Sequence, residues 1–195
     1  MKEMQLNTIG MTSRSHGTGG FMDPNSIVGY FGLTEGMRVA DFGSGAGYFT
    51  ILMAKRVGDG GVVTAVDILD SSLETLRAKA KMDGLGNIRT VRADIGMLGG
   101  SGLVENSQDI ILLANILFQN ADKRPIIAEA RRTLKPGGSI IVIDWRKGTD
   151  GFGPPDDLRT DEEEMKQLVI ANDGIQYTGE IDAGIFHYGM IFRKI

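Results

Sequence analysis

The sequence predicts an α/β domain: a mostly parallel sheet of seven strands with helices on both of its faces. Three observations carry that prediction. Short apolar runs alternate along the chain with segments of helical periodicity, the pattern of strands buried on two sides and connected by crossover helices. The first run turns into a helix through Gly43-Ser-Gly45-Ala-Gly47, where every second residue is glycine. Three successive runs end in an aspartate, Asp41, Asp67 and Asp94.

Taken in order, residues 1–20 show no periodicity and are expected as a flexible N-terminal segment, leaving residues 21–195 as one domain. Asp23-Pro24 reads as an N-cap followed by proline at the first helical position, with Ile27, Val28 and Phe31 on the inner face and Gly32 as the stop. Arg38–Phe42 is the first strand. Phe49–Val57 is a helix with Phe49, Leu52, Met53 and Val57 at core spacing, broken at Gly58. Val62–Val66 is a central strand ending in Asp67. Ser71-Ser-Leu-Glu74 reads as a capping box for a helix to Met82, stopped at Gly84. Ile88–Ala93 is the third strand. Asp94 after it also suits the N-cap of a short helix through Leu98.

Gln108–Ala114 is the fourth strand, opening into Asn115-Ile-Leu-Phe-Gln119. Asp122 is placed to cap a helix with Pro125 in its first turn and Ile126, Ile127, Ala130 and Leu134 inside. Leu134-Lys-Pro-Gly-Gly138 reads as a turn into the fifth strand, Ser139–Trp145. A loop stiffened by Pro154 and Pro155 leads to Thr160-Asp-Glu-Glu163, a second capping box for a helix packed through Met165, Leu168 and Val169. Two strands close the chain, near Gln176–Asp182 and Ile185–Arg193.

Composition narrows the function. A chain of 195 residues with 42% hydrophobic and 24% charged residues is ordinary for one globular domain. The absence of cysteine excludes disulfides, thiolate metal sites and a cysteine nucleophile, and fits a reducing compartment. A net charge of −4 gives no overall attraction to phosphate backbones and argues against a nucleic-acid substrate. No run reaches the length of a membrane span, and Met1–His16 lacks the apolar core of a signal peptide, so a cytoplasmic protein is expected.

The glycine spacing selects the ligand. A dinucleotide fingerprint, G-x-G-x-x-G/A, would place a small residue at position 48, where Tyr48 stands. With Asp41 the pattern is D-x-G-x-G-x-G, which is either a tight ligand-free turn or a cradle for a ligand at the helix N-terminus. This motif resembles the first motif of class I S-adenosylmethionine (SAM)-dependent methyltransferases. The acids at the next strand ends and the phrase Leu134-Lys-Pro-Gly-Gly138 extend the resemblance, which spans Phe21 to Trp145 and is closest to small-molecule methyltransferases of the ubiquinone/menaquinone-biosynthesis type. It implies a Rossmann-like class I methyltransferase fold with an antiparallel last strand, SAM as methyl donor and S-adenosylhomocysteine as product.

Carried over by position, the resemblance implies a cofactor site of Asp41, Gly43, Ser44, Gly45 and Gly47 along the methionine part, Asp67 and Ile68 at the ribose, Asp94 and Ile95 at the adenine, and Asn115 at the opening toward the acceptor. Asp67 and Asp94 also suit caps of the turns that follow them. Tyr48, Phe118, Trp145, Arg159 and His187 are the substrate-side candidates. Four of them have a plainer reading: core aromatics for Tyr48 and Phe118, a structural strand histidine for His187, and a partner of the acidic helix behind it for Arg159. No catalytic residue is assigned beyond His187 as a candidate base, because methyl transfer chiefly needs the acceptor aligned with the departing sulfur.

The sequence lacks the Asn/Asp-Pro-Pro-aromatic motif of exocyclic-amine methylation after the fourth strand. The cysteines that cytosine-C5 and arsenite methylation use are also missing. Trp145 after Asp144 breaks the Asp-Asn pair of catechol-type enzymes, so no metal is expected. A small-molecule acceptor is the expected partner. An RNA or protein methyltransferase, a non-catalytic SAM-binding or scaffolding protein, and a nicotinamide-dependent oxidoreductase are the rivals. No motif encodes the acceptor atom or the oligomeric state.

Overall fold

The computed structural model describes residues 22–149 and 151–195, so the expectations for residues 1–20 and for Phe21 lie outside the described residues. Seven strands form one sheet: β1 (Arg38–Phe42), β2 (Val62–Asp67), β3 (Ile88–Arg92), β4 (Gln108–Ala114), β5 (Leu134–Trp145), β6 (Ile175–Ile181) and β7 (His187–Lys194). Their order is β3-β2-β1-β4-β5-β7-β6. The strands from β1 to β5 pair in parallel, and β7 lies antiparallel between β5 and β6. The last strand is therefore the antiparallel one, as the resemblance implies.

Side-chain alternation on the strands divides the core into two layers. Ala40, Phe42, Ile111, Leu113, Ile140, Val142 and Tyr188 face one way and pack with Ile126, Ile127 and Ala130 of α4 (Arg124–Thr133) and Met165 and Val169 of α5 (Glu162–Ile170). Val39, Val63, Ile110, Leu112, Ile141 and Ile143 face the other way. They meet Phe49, Met53 and Val57 of α2 (Tyr48–Val57), and Ile27 of α1 (Pro24–Ile27), which runs on as a 3-10 turn over Val28–Phe31. Each such fully buried aliphatic side chain contributes about 1.5–3 kcal/mol. The remaining helix, α3 (Asp70–Met82), covers β2 and β3.

Several local readings change. The chain enters α3 at Asp70 with Leu69 as an N-cap that makes no side-chain bond, so Ser71-Ser-Leu-Glu74 is not a capping box. Leu69 N is instead held by Asp67 Oδ1 at 2.9 Å, and the cap stands two residues before Ser71. The cap of α5 is Asp161, accepting from Glu163 N at 3.0 Å, rather than Thr160. The Asp122 carboxylate does bond Arg124 N at 3.1 Å, but the capping position is Lys123. Asp94 forms a single turn through Gly96 N at 2.8 Å and no helix follows. Leu134–Gly138 belongs to β5, because Leu134 pairs with Gln108 and the register shifts before Ile110↔Ser139; the proline and glycines occupy an irregular strand rather than a free turn.

Sheet order turns back between β1 and β4: β2 and β3 lie on one side, β4 and β5 on the other. In open α/β sheets that switch point, at the C-terminal strand ends, is where a ligand crevice opens.

Candidate active site

Gly43, Gly45 and Gly47 all hold positive φ, at 73°, 52° and 81°. Only glycine adopts this region at low cost, so the alternation is a backbone requirement. Their surroundings differ in a telling way. A Cβ on Gly43 would lie 2.6 Å from Ile116 Cδ1, and one on Gly47 would lie 2.2 Å from Leu76 Cδ1. A Cβ on Gly45 would meet nothing within 4 Å. Two glycines let protein approach the loop; the middle one faces open space. The loop is tied to β2 by Gly43 N and Ser44 N on Val66 O, and Asp67 Oδ2 accepts from Gly45 N at 2.7 Å.

Beside the loop lies a cavity of about 410 Å³ lined by Met22, Pro24, Asp41, Gly43, Ser44, Tyr48, Phe49, Ala114 and Asn115. Asp41 lies within β1, one residue before the strand end, and is buried. One of its oxygens accepts from Thr50 Oγ1 at 2.6 Å. Burial pushes its carboxyl up to about 6; the Thr50 bond opposes that shift and the charge of Asp67 adds to it. Asn115 follows β4 directly, at φ 54°, a region unusual for a residue with a Cβ. Its backbone is fully engaged, N to Ile143 O at 2.8 Å and O from Gln119 Nε2 at 2.8 Å. Its Oδ1 is buried without a partner, as is Ser44 Oγ. Buried polar atoms normally find partners, so two orphans on one cavity mark a place for ligand groups.

The structure thus brings Asp41, Gly43, Ser44, Tyr48 and Asn115 together around one cavity, with Gly45 and Gly47 in the loop beside it. Asp67, Ile68 and Asp94 lie along the adjoining ends of β2 and β3. Both Asp67 oxygens take backbone N–H groups and Asp94 takes one, so the capping roles are present. Ile68 is exposed; Ile95 is packed into the core and offers no open face.

Four of the five substrate-side candidates, all but Tyr48, are absent from the lining of this cavity. Trp145 and His187 pair across β5 and β7, ring centroids 4.1 Å apart. Gly153 presses on the Trp145 ring, since a Cβ there would sit 2.5 Å from it, so Trp145 is roofed by its own loop rather than walling the cavity. His187 is buried with both ring nitrogens unpartnered, and burial, then the charge of Arg159, hold its pKa down to about 4. The ring is thus neutral at pH 7, enclosed, and not among the residues lining that cavity. Arg159 binds neither the acidic helix nor an open site. Its guanidinium is buried and donates to Pro154 O, Arg146 O, Thr149 O, Thr149 Oγ1 and Phe152 O, which knits residues 146–154 together. The partner of the acidic helix is Arg146, paired with Glu162. Phe118 is partly buried and does not line the cavity; its N–H goes to Asp144.

Sequence reasoning missed Thr50 and Ala114, whereas Met22 and Pro24 belong to the segment before the first strand that the resemblance offers as a roof over the site. Thr50 stands in the first turn of α2, where a hydroxyl can reach back to the strand carboxylate; Ala114 reaches the cavity only through tertiary placement. Among the described residues no cluster of three or more His, Asp or Glu side chains suits a metal ion, and no helix is long and apolar enough to cross a membrane.

The family described as "Methyltransferase domain" matches residues 33–188. The ubiquinone/menaquinone biosynthesis C-methyltransferase UbiE of Shewanella halifaxensis is 38% identical over 117 residues, 60% of this chain and 45% of that protein. The chain thus spans about half the length of the curated relatives it matches. Among solved structures, a SAM-dependent methyltransferase from Aquifex aeolicus superposes with a TM-score of 0.80 at 27% identity, covering 90% of this chain and 92% of that one. The [4+2]-cyclase SpnF superposes at 0.73 with 16% identity, over 88% of this chain and 80% of that one, and shows the fold alone.

Proposed function

The chain belongs to the class I SAM-dependent methyltransferases, and from that premise we propose that it moves a methyl group from SAM to a small-molecule acceptor in the cytoplasm, releasing S-adenosylhomocysteine. Fold alone does not give activity, since a cyclase shares this one. The observation that carries the reading is the cavity at the β1/β4 switch point. Asp41, Gly43, Ser44 and Asn115 line it, Ser44 Oγ and Asn115 Oδ1 are buried without a partner, and Gly45 in the adjoining loop leaves open space where a side chain would stand.

Those features fit SAM group by group. Asp41 offers a carboxylate of low solvation to the ammonium of the methionine part, and that cation in turn favours its ionised form. Gly45 lets the ligand lie against the backbone. Asp67, with Ile68, stands at the ribose, and Asp94 at the adenine edge. SAM, when bound, supplies an activated methyl on a sulfonium. The protein's task is to hold the acceptor in line with it and keep water out, which Met22, Pro24, Tyr48, Phe49 and Ala114 serve as an apolar enclosure.

Thermal unfolding with SAM, S-adenosylhomocysteine and NADH tests the reading. A ligand at a hundred times its Kd adds about 2.7 kcal/mol, or roughly 5–10 °C for a domain of this size. Shifts with the first two ligands that disappear in Asp67→Ala are expected. No shift with either would reduce the glycine loop to a turn.

A further inference from the structure

The loop between β4 and α4 carries Asn115 into the cavity and Ile116 onto Gly43, so whatever fixes it sets the geometry of the transfer point. Most of its ties are internal or to backbone: Gln119 Nε2 to Asn115 O at 2.8 Å, Asn120 Nδ2 to Ile116 O at 2.9 Å, Lys123 Nζ to Asn120 O at 3.0 Å, and Asn115 N to Ile143 O at 2.8 Å. One tie is different. Asp144, at the tip of β5 and buried, places Oδ2 3.0 Å from Phe118 N while Oδ1 takes Trp145 N at 2.8 Å. A single buried carboxylate thus joins the short 3-10 turn Leu117–Gln119 to the end of the neighbouring strand.

We propose that Asp144 is a positioning residue for the methyl-transfer site, its carboxylate setting the Asn115–Gln119 loop, and with it the Asn115 amide and the Ile116–Gly43 contact, against the cavity. The proposal deepens the methyltransferase reading and rests on it for its function, though not for its geometry. An ionised carboxylate accepts both amides well; a neutral carboxyl keeps one good acceptor oxygen, so one amide is left poorly bound. Burial pushes the Asp144 carboxyl up to about 6, with the Trp145 and Phe118 amides and the charge of Lys123 pulling the other way. The groups facing it are Lys123, before α4, and Tyr188, its cross-strand neighbour on β7; Arg146, Asp161 and Glu162 act on Tyr188 from the β5 end and α5. The tie is therefore present above that range and released as pH falls through it.

Amide NMR spectra of the isotope-labelled full chain between pH 5 and 8 test this. The Phe118 and Asn115 resonances should move with one midpoint near pH 6, and Asp144→Asn should abolish that movement. Asp41 titrates in the same range across the cavity, so the movement must also survive in Asp41→Asn. Titration of the Trp145 amide with Phe118 and Asn115 unmoved would overturn the proposal, and so would a Phe118 movement that Asn115 does not follow. If Asp144→Asn does not fold, wild type and Asp41→Asn still decide between these outcomes. S-adenosylhomocysteine added to the same samples should shift the Gly45 amide. A spectrum unchanged by it would sink the cofactor reading while leaving the Asp144 result standing.

Discussion

Replacing Asp41 with Asn should make the protein more stable and unable to use its cofactor. Asp41 is 2% exposed, and among the described residues its carboxylate is bonded by Thr50. Burial lifts its pKa from 3.8 to about 6, and that shift of roughly 2 units corresponds to about 3 kcal/mol that the ionised carboxylate costs the folded state at pH 7. The sign follows from the direction. The folded protein holds this proton more tightly than the unfolded chain, so stability is full below about 3.8, falls as pH rises through 6, and stays reduced above it. Asparagine keeps the shape and an oxygen for Thr50 but buries an NH2 group in place of the carboxylate oxygen, which costs about 1–2 kcal/mol. The net gain at pH 7 is about 1–2 kcal/mol, a rise in Tm of roughly 3–8 °C. At pH 4 the variant should instead unfold below wild type, since the wild-type carboxyl is then neutral when folded and only the cost of the NH2 group remains. Thermal unfolding from pH 4 to 8, with and without SAM, reads all of this. A variant less stable than wild type at pH 7, or a gap that ignores pH, would refute the burial reasoning. A SAM shift that survives the substitution would refute the placement of Asp41 at the ligand.

Two further contrasts probe the loop and the scaffold. Gly45→Ala carries only the positive-φ penalty, about 1–2 kcal/mol, because its methyl meets no protein atom, yet that methyl fills the cradle and the SAM-induced Tm shift should vanish. Gly47→Ala adds to the same penalty a clash with buried Leu76, so urea unfolding should show a loss of about 3 kcal/mol or more. Glu129, fully buried, gathers Gly99 N, Ser101 N, Ser101 Oγ and the Arg132 guanidinium. Burial opposes its charge, but Arg132, Ser101 and the two amides hold its carboxyl down to about 2. Its stabilisation is complete above pH 4.5 and lost as pH falls through 2, and Glu129→Gln should cost about 2–4 kcal/mol at pH 7 and flatten the acid limb of a urea-unfolding series.

What the sequence made legible is what local backbone chemistry decides. Glycines at every second position after a strand demand positive φ, and Gly43, Gly45 and Gly47 have it; the apolar runs from Arg38 to Ala114 became β1, β2, β3 and β4 nearly to the residue. Two of the misread starts, those of β5 and α3, share one cause, a partner outside the local motif. Leu134 joins β5 because Gln108, 26 residues earlier, pairs with it, and α3 begins before its capping box because Asp67 captures Leu69 N.

The site shows the same boundary more sharply. Strand-tip acids are expected at one crevice because β1, β2 and β3 are neighbours in both sequence and sheet; Asp41 lines the cavity, and Asp67 and Asp94 stand at the adjoining strand ends. Trp145 and His187 also stand at strand ends, and Arg159 follows the loop after β5, yet none of the three lines the cavity. Chain order places β6 after β5, but it is β7 that lies beside β5, and this sets His187 against Trp145. The loop from Arg146 then folds back, laying Gly153 on the indole, and Arg159 fills with its guanidinium a space ringed by carbonyl oxygens. A cation satisfied by four backbone carbonyls and a hydroxyl looks, in sequence, the same as one waiting for an anionic ligand; only the fold of the loop tells them apart. Asp144 is the converse case. Its sequence context suggested a broken metal pair, while its two oxygens hold the Trp145 and Phe118 amides, the second 26 residues away. A carboxylate's role at a strand end is thus set by which N–H groups the neighbouring loops bring within about 3 Å, and that depends on sheet order.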